Sequence, residues 1–331
     1  MTNFKGNFHI AIVGAGLAGL ATAILLRRAG YKVTVLEQDA ELREVRDLRS
    51  HQRLLLMKSI QIGAGIQLPA NANKVLAEMG ILDKILEQAV RPQAIKLYSY
   101  QSDAVLSTLN LDPYVQNTYG IPHLVMHRAD LRRLLFDEAE AQGVCIRLGT
   151  KITPEHTELV TGVIRLASGK QITADLIIGA DGASSMCRRV LVGEPRLSKA
   201  TGRIGNRIVI DSDVMLQDER LKDFVLTPNI HVWLGPECLA VCYLLKGAFN
   251  VVLTHPPNNY EDMFLGPRPV DSAEVRSLFS TWDPRIRALL DKAHVFQKWM
   301  FLEPQEIRTW VHPNGKLALI GDAAHEALPY L

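Results

Sequence analysis

The chain is short of cysteine, of long apolar runs and of net charge, and each shortage excludes something. Its four cysteines are Cys145, Cys187, Cys238 and Cys242, which is no disulfide framework. Cys238 and Cys242 share a segment, GPECLAVCY, that reads as a strand and has no His or second Cys pair nearby. No metal site is expected there; the pair reads as reduced, buried thiols suited to a cytoplasmic protein. No apolar run reaches membrane-spanning length, so no membrane segment is expected. The opening MTNFKGNFHI has neither the charged nor the apolar region of a secretory leader. Lys and Arg number 37 against 35 Asp and Glu, a net charge of +2 without a basic tail or stripe, which argues against nucleic acid. There is no internal repeat and no low-complexity segment.

What is present is a globular composition, 47% hydrophobic and 22% charged, over 331 residues, a length for about two domains. Its most informative stretch is His9 to Gln38. Ile10 to Val13 reads as a buried strand, followed at once by the turn Gly14-Ala15-Gly16-Leu17-Ala18-Gly19. A helical pattern with Leu17, Leu20, Ala21, Ile24 and Leu25 on one face then runs to Gly30, and a second strand, Lys32 to Leu36, ends on Glu37. Gly14 makes the tight turn, Gly16 lets backbone approach a pyrophosphate, and Gly19 lets helix and strand pack closely. The helix start offers free N–H groups to phosphate, and Glu37 can accept hydrogen bonds from a ribose. This stretch implies a dinucleotide and leaves NAD and FAD open.

Further on, an amphipathic helix is expected from about Ala72 to Ala89, a strand pair over 95–111, and a helix from Arg128 to Gln142 with Leu131, Leu134, Leu135 and Ala139 on its packing face. Short strands over 144–178 end in an apolar one, Asp175 to Ile178. From about Leu191 to Met300 strand-like runs alternate with Pro-rich turns, a sheet-rich second domain. Lys316 to Ile320 is another buried strand. Three strand-to-turn junctions therefore end in small or acidic residues: Gly14–Gly19, Gly179–Gly182 and Gly321–Ala324, about 165 and about 140 residues apart. Ligands of α/β sheets bind at the carboxyl ends of strands. All three junctions serve one cofactor only if the chain returns twice to the same sheet, which makes the cofactor domain discontinuous.

With these motifs the sequence resembles the group A flavin-dependent aromatic monooxygenases, the salicylate-hydroxylase-like branch of the para-hydroxybenzoate hydroxylase fold. The resemblance rests on GAGLAG with Glu37, on LREV and GAGIQLPAN, and on HRADL at 127–131. It continues through GADGASSMCR at 179–188, HVWLGPE at 231–237, WVHPNGKLALIGDAAH at 310–325 and LPYL at the end. It implies an α/β fold: a Rossmann-like, three-layer, discontinuous FAD-binding domain (1–72, 125–190 and 306–331) and an inserted sheet-rich substrate domain (73–124 and 191–305). FAD is then the cofactor, and NADPH or NADH the transient co-substrate.

Residue by residue, the resemblance implies that Glu37 holds the adenosine ribose, Ala64 and Gly65 lie along the flavin, and Arg128 contacts the ribityl–pyrophosphate region. Asp181 serves FAD and the nicotinamide cofactor, Asp322 binds ribityl hydroxyls, and Pro329 sits at the flavin–substrate boundary. Arg207 and Tyr243 match positions that orient a phenolic substrate. The implied chemistry is transfer of OH from a C4a-hydroperoxyflavin to an electron-rich ring, with O2 as co-substrate and secondary metabolism as a setting. A guanidinium at Arg207 can hold a phenolate or carboxylate, and Tyr243 can hydrogen-bond the same oxygen.

Two departures qualify this. Residues 46–62 carry four basic groups and one acid and separate segments that are contiguous in the family, which suggests an atypical insertion. The family also continues past LPYL, so truncation is expected. The alternatives are a catalytically silent relative that binds FAD weakly, or an epoxidising flavin monooxygenase acting on a terpenoid-like substrate.

Overall fold

The computed structural model describes residues 7–42, 65–152, 157–193, 200–257, 268–303 and 306–328. The atypical 46–62, together with Ala64 and Pro329, lies outside the described residues. In chain order the elements are β1 (His9–Val13), α1 (Leu17–Arg28), β2 (Lys32–Leu36), β3 (Gly65–Leu68), α2 (Ala70–Glu78), α3 (Leu82–Leu86), β4 (Ala94–Ser99), β5 (Val105–Asn110), α4 (Tyr114–Tyr119), β6 (Leu124–His127) and α5 (Arg128–Ala141). They continue with β7 (Cys145–Arg147), β8 (Val163–Arg165), β9 (Gln171–Thr173), β10 (Leu176–Gly179), α6 (Met186–Val192), β11 (Ala200–Asp211), α7 (Ser212–Leu216) and α8 (Lys222–Leu226). The last are β12 (Ile230–Gly235), β13 (Cys238–Leu245), β14 (Ala248–His255), β15 (Arg268–Pro269), α9 (Ser272–Leu278), α10 (Pro284–Lys292), β16 (Phe296–Leu302), β17 (Leu317–Leu319) and α11 (Asp322–His325). The helix expected over 72–89 is two helices, because Gly80 between them takes φ +71°, outside the helical region.

The chain divides into two compact units. The first comprises Met1–Arg43, Leu131–Lys199 and Leu302–Leu331. It holds a parallel sheet in the order β17-β10-β1-β2-β7. The strands read IAIV, VTVL, LIIG and LAL because both faces are covered. On one face Ala11, Val13, Ile177, Leu317 and Leu319 pack with Cys187 of α6 and with the β8–β9 hairpin. The other carries α1, which buries Leu20, Ala23 and Ile24 against β1 and β2, and the sheet is thus the middle of three layers. Each such fully buried aliphatic side chain contributes roughly 1.5–3 kcal/mol. The α5 helix buries Leu131, Leu134, Leu135 and Ala139, the face expected of it. The chain does return twice to one sheet: Val13, Gly179, Leu319 and Leu36 occupy a single rung. Gly14, Ala180, Ile320 and Glu37 follow one residue later, so the three junctions and the acid leave the sheet side by side.

The second unit comprises Glu44–Asp130 and Ala200–Phe301. Its eight-stranded sheet runs β15-β16-β11-β14-β13-β12-β4-β5, antiparallel where β11, β14, β13 and β12 pair and parallel between β12 and β4. Alternation gives the sheet two characters. One face carries Ile208, Ile210, Trp233, Cys242, Phe249 and Val251, packed with Phe224 of α8, Val275 of α9 and Leu289 of α10. Burial pushes the Cys242 thiol up, which keeps it protonated. Trp233 Nε1 donates to Asp283 Oδ2 at 2.8 Å, and Arg285 pairs with that aspartate at 2.5 Å while its guanidinium lies over the Tyr98 ring. The opposite face carries Arg207, Val209, Asn250 and Tyr243. The β3–β6 ribbon belongs to this unit, with Val125 packed among Tyr243, Leu245 and Ile230. The compact division accordingly assigns 65–72 and 125–130 to the second unit, beyond the borders expected at 72 and 125. Among the described residues no helix is long and apolar enough to cross a membrane.

Candidate functional site

In the first unit the site begins at the α1 start. Gly14 takes φ +108°, and a Cβ there would fall inside contact distance of the Ala180 backbone, so the first junction is pressed against the second. A Cβ on Gly321 would come 2.7 Å from Ala18 Cβ, which brings the third junction to the same helix turn. Gly16 is the N-cap; the helix has no side-chain cap and no acid in its first turn. A Cβ at Gly16 would meet nothing within 4 Å. An uncapped helix start beside open space leaves orphan N–H groups and the positive end of the dipole for an anion.

Glu37 stands next to that turn. Its Oε2 accepts from Ala15 N at 2.9 Å and from Arg132 Nη2 at 3.2 Å, and its Oε1 accepts from Asp39 N at 3.1 Å. Arg132 Nε also donates to Ala15 O at 2.8 Å. Arg132, one turn beyond Arg128 on α5, therefore ties Glu37 to the glycine turn, a role the sequence reading did not assign. Its signal was present only as spacing, since positions i and i+4 share a helix face.

Asp181 is engaged within the protein. It accepts from Ser185 Oγ at 2.5 Å, Met186 N at 2.7 Å and Cys187 N at 3.0 Å. Ser185 is the N-cap of α6 and accepts from Arg188 N at 2.8 Å, so Asp181 finishes the cap of that helix. Arg188 returns to the third junction through Asp322 O at 3.4 Å and also donates to Ala183 O. The Asp322 side chain is exposed, and its carboxylate takes no hydrogen bond among the described residues. Beside it Glu326 Oε2 is buried without a partner. Burial pushes that carboxyl up, with Arg188 pulling against it and Asp322 adding to the rise.

In the second unit, Arg207 on β11 and Tyr243 on β13 lie on one sheet face with β14 between them. Register sets them two residues apart along the sheet, since Arg207 pairs with Val252 and Tyr243 with Asn250, and about 10 Å apart across it. Their long side chains interact electrostatically. The Arg207 side chain makes no hydrogen bond or ion pair among the described residues, and its Nε is buried without a partner. Burial lowers the guanidinium below its ordinary value; Tyr243 opposes this and Arg128 adds to it. Tyr243 is 4% exposed, and burial pushes its phenol up against the pull of Arg207. Gly65 is fitted to that ring: a Cβ there would come 2.5 Å from Tyr243 Cε2 and 2.6 Å from its hydroxyl. Gly65 N donates to Asn250 Oδ1 at 3.2 Å, while Asn250 Nδ2 is buried and unpartnered. Asn250 was not foreseen, because only register brings it beside Tyr243.

With this geometry in place, the profile of the family described as FAD binding domain matches residues 7–331. The chain belongs to that family. Among its relatives, the FAD-dependent monooxygenase OpS4 of Beauveria bassiana (strain ARSEF 2860) is 31% identical over 337 residues, covering 100% of this chain and 74% of that protein. The 3-hydroxybenzoate 6-hydroxylase of Klebsiella oxytoca is 31% identical over 324 residues, covering 97% and 74%. Among solved structures, CtdE in complex with FAD and a substrate gives a TM-score of 0.78 at 20% identity, over 98% of this chain and 76% of that one. A salicylate hydroxylase substrate complex gives 0.73 at 21%, over 98% and 75%; at such identities these two establish the fold. The family member described here is an FAD-dependent monooxygenase of group A. The residues present fit FAD: the α1 start is uncapped beside open space, a carboxylate ends β2, and an exposed, unengaged Asp322 stands at the third junction.

Proposed function

We propose that this chain hydroxylates a phenolic aromatic molecule with NAD(P)H and O2, with FAD on the first unit and the substrate ring on the sheet face of the second that carries Arg207 and Tyr243. Gly14, Gly16 and Gly19 would take the pyrophosphate, Glu37 the ribose and Asp322 the ribityl chain. Asp181 would act by building the α6 start rather than by touching the cofactor with its carboxylate. The group supplies, when bound and reduced by NAD(P)H, the activation of O2 that puts one oxygen atom on the ring.

The observation that carries this reading is Arg207, a half-buried cation whose Nε is buried and which has no counter-anion among the described residues, on the same face as a buried phenol. An uncompensated buried charge is costly, and an anionic ligand offsets it. Arg207 would bind a phenolate or carboxylate oxygen through charge-assisted hydrogen bonds, holding a phenolic oxygen deprotonated and so enriching the ring. Tyr243, kept protonated by burial, would donate to the same oxygen. An apolar olefin offers neither residue a partner, which weighs against epoxidation.

The test is FAD-loaded protein assayed with hydroxybenzoates for substrate-stimulated NAD(P)H oxidation coupled to hydroxylated product. Arg207→Ala should slow turnover at least about tenfold with FAD retained, the loss of one charged hydrogen-bond anchor. Protein that binds no FAD, or an unchanged rate in the variant, overturns the reading.

A further inference from the structure

The Arg207 guanidinium does not stand alone on its sheet face. Its Cζ lies 4.6 Å from the centroid of the Trp299 indole, presented by β16, the neighbour of β11. What allows this is Gly205, two residues before Arg207 and therefore on the same face. A Cβ at Gly205 would come 2.6 Å from Trp299 Cζ2 and 2.9 Å from Phe301 Cζ, so the indole occupies the space over the strand that a side chain would fill. Phe301 meets the indole edge-to-face, with centroids 5.5 Å apart and planes at 82°, which holds the ring from its far side.

Resting on the aromatic-hydroxylase reading above, we infer that Trp299 is a positioning residue. It fixes the plane of Arg207, and Gly205 makes room for it, so that the guanidinium edge receives a planar anion, a ring-borne carboxylate in preference to a neutral group. An indole on one face of a guanidinium satisfies the cation's face and no N–H. The N–H edge, including the unpartnered Nε, is left for two coplanar oxygens. Among the described residues the other groups that act on Arg207 electrostatically are Tyr243 and Arg128, neither of which carries a carboxylate. On this inference the negative charge comes from the ligand.

The experiment is isothermal titration calorimetry on FAD-loaded protein with 3-hydroxybenzoate and with its neutral amide. The wild type should bind the carboxylate more tightly. Trp299→Leu should weaken the carboxylate about tenfold and the amide by less than about twofold, with FAD content and melting temperature kept. Trp299→Phe, which keeps a ring, should recover most of the loss. Gly205→Ala, which displaces the indole from beneath, should reproduce Trp299→Leu. A wild type that does not prefer the carboxylate, equal weakening of both ligands, or no weakening in Trp299→Leu overturns the inference. Loss of carboxylate binding in Arg207→Ala but not in Trp299→Leu overturns it while leaving the functional reading intact. Carboxylate binding untouched by Arg207→Ala removes the anchor itself and overturns both.

Discussion

Replacing Glu37 by Gln tests whether the proposed adenosine end of the site is assembled by the protein itself. The carboxylate accepts three hydrogen bonds, from Ala15 N, Asp39 N and Arg132 Nη2, and its side chain is only 10% exposed, as the Arg132 side chain is 15% exposed. An amide cannot serve all three. With nitrogen in the Oε2 position it faces two donors, Ala15 N–H and Arg132; turned over, it faces Asp39 N–H. Either orientation strands a donor, at about 1–3 kcal/mol, and weakens a charged hydrogen bond worth roughly 1.5–3 kcal/mol. Arg132 keeps its bond to Ala15 O, which limits the loss, so flavin-free Glu37→Gln should be destabilised by about 3 kcal/mol in urea denaturation. FAD affinity, read by flavin fluorescence quenching, should fall as well. Because Arg132 and Glu37 share one network, Arg132→Met combined with Glu37→Gln should cost less than the sum of the two changes. If flavin-free Glu37→Gln keeps wild-type stability within about 0.5 kcal/mol, the three bonds do no structural work and the reasoning fails.

Gly65→Ala would drive a methyl group into the Tyr243 ring; a stability loss of about 1–3 kcal/mol and a raised KM for phenolic substrate are expected, checked by thermal melting and steady-state kinetics. Asp181→Asn should destabilise the start of α6 by about 1–2 kcal/mol, with faster amide exchange at Met186 and Cys187; wild-type exchange with lost FAD affinity would instead assign the carboxylate to the cofactor. Stability should also fall in mild acid through His231, whose imidazole burial holds at about 3, with Lys96 and Arg285 acting in the same direction. Below about 6.5 the unfolded chain takes up a proton that the folded state refuses, so stability is whole above that pH and falls by about 1.4 kcal/mol per unit towards the folded value. His231→Gln should flatten the stability slope between pH 6 and pH 4 relative to wild type; parallel slopes would refute the assignment.

Much of the fold was legible because its signals are local. The β1–α1–β2 stretch carries strand, turn, helix and acid within about 30 residues, and each follows from backbone sterics and burial on both faces of a parallel sheet. The β11 strand shows the limit. The sequence shows there only one of several strand-like runs, yet β11 spans Ala200–Asp211 and pairs with β14 from Ile204 onward. Apolar alternation fails on both faces: Gly205, on the Arg207 face, gives its place to the Trp299 indole, and Asn206, on the core face, pairs with His255 Nε2 at 2.7 Å. The β3–β6 ribbon, whose residues were expected mostly in the cofactor domain, clusters with the second unit, and its pairing was not legible for a related reason. Its two strands are about 60 residues apart in sequence, and hydrophobic pattern does not encode which strands pair across such a distance.

The same distinction separates the parts of the site. Gly14, Gly16, Glu37, Asp181 and Asp322 stand in motifs whose spacing is set by one strand end meeting one helix start, so their places at the strand ends could be read from the sequence. Even there a motif names a requirement and not its cause: Asp181 was assigned to cofactors, and its carboxylate is occupied by Ser185, Met186 and Cys187. An aspartate in that motif is thus explained by helix capping before any ligand is invoked. Asn250, Trp299 and Arg132 follow another logic. Each contacts a residue far away in sequence, Asn250 with Gly65, Trp299 with Arg207 and Arg132 with Glu37, and reaches it only through sheet register or helix docking. Gly205 is the exception that could have been read. A glycine inside a strand gives up side-chain packing and invites the question of what approaches so closely, and here the answer is the ring that stacks on Arg207.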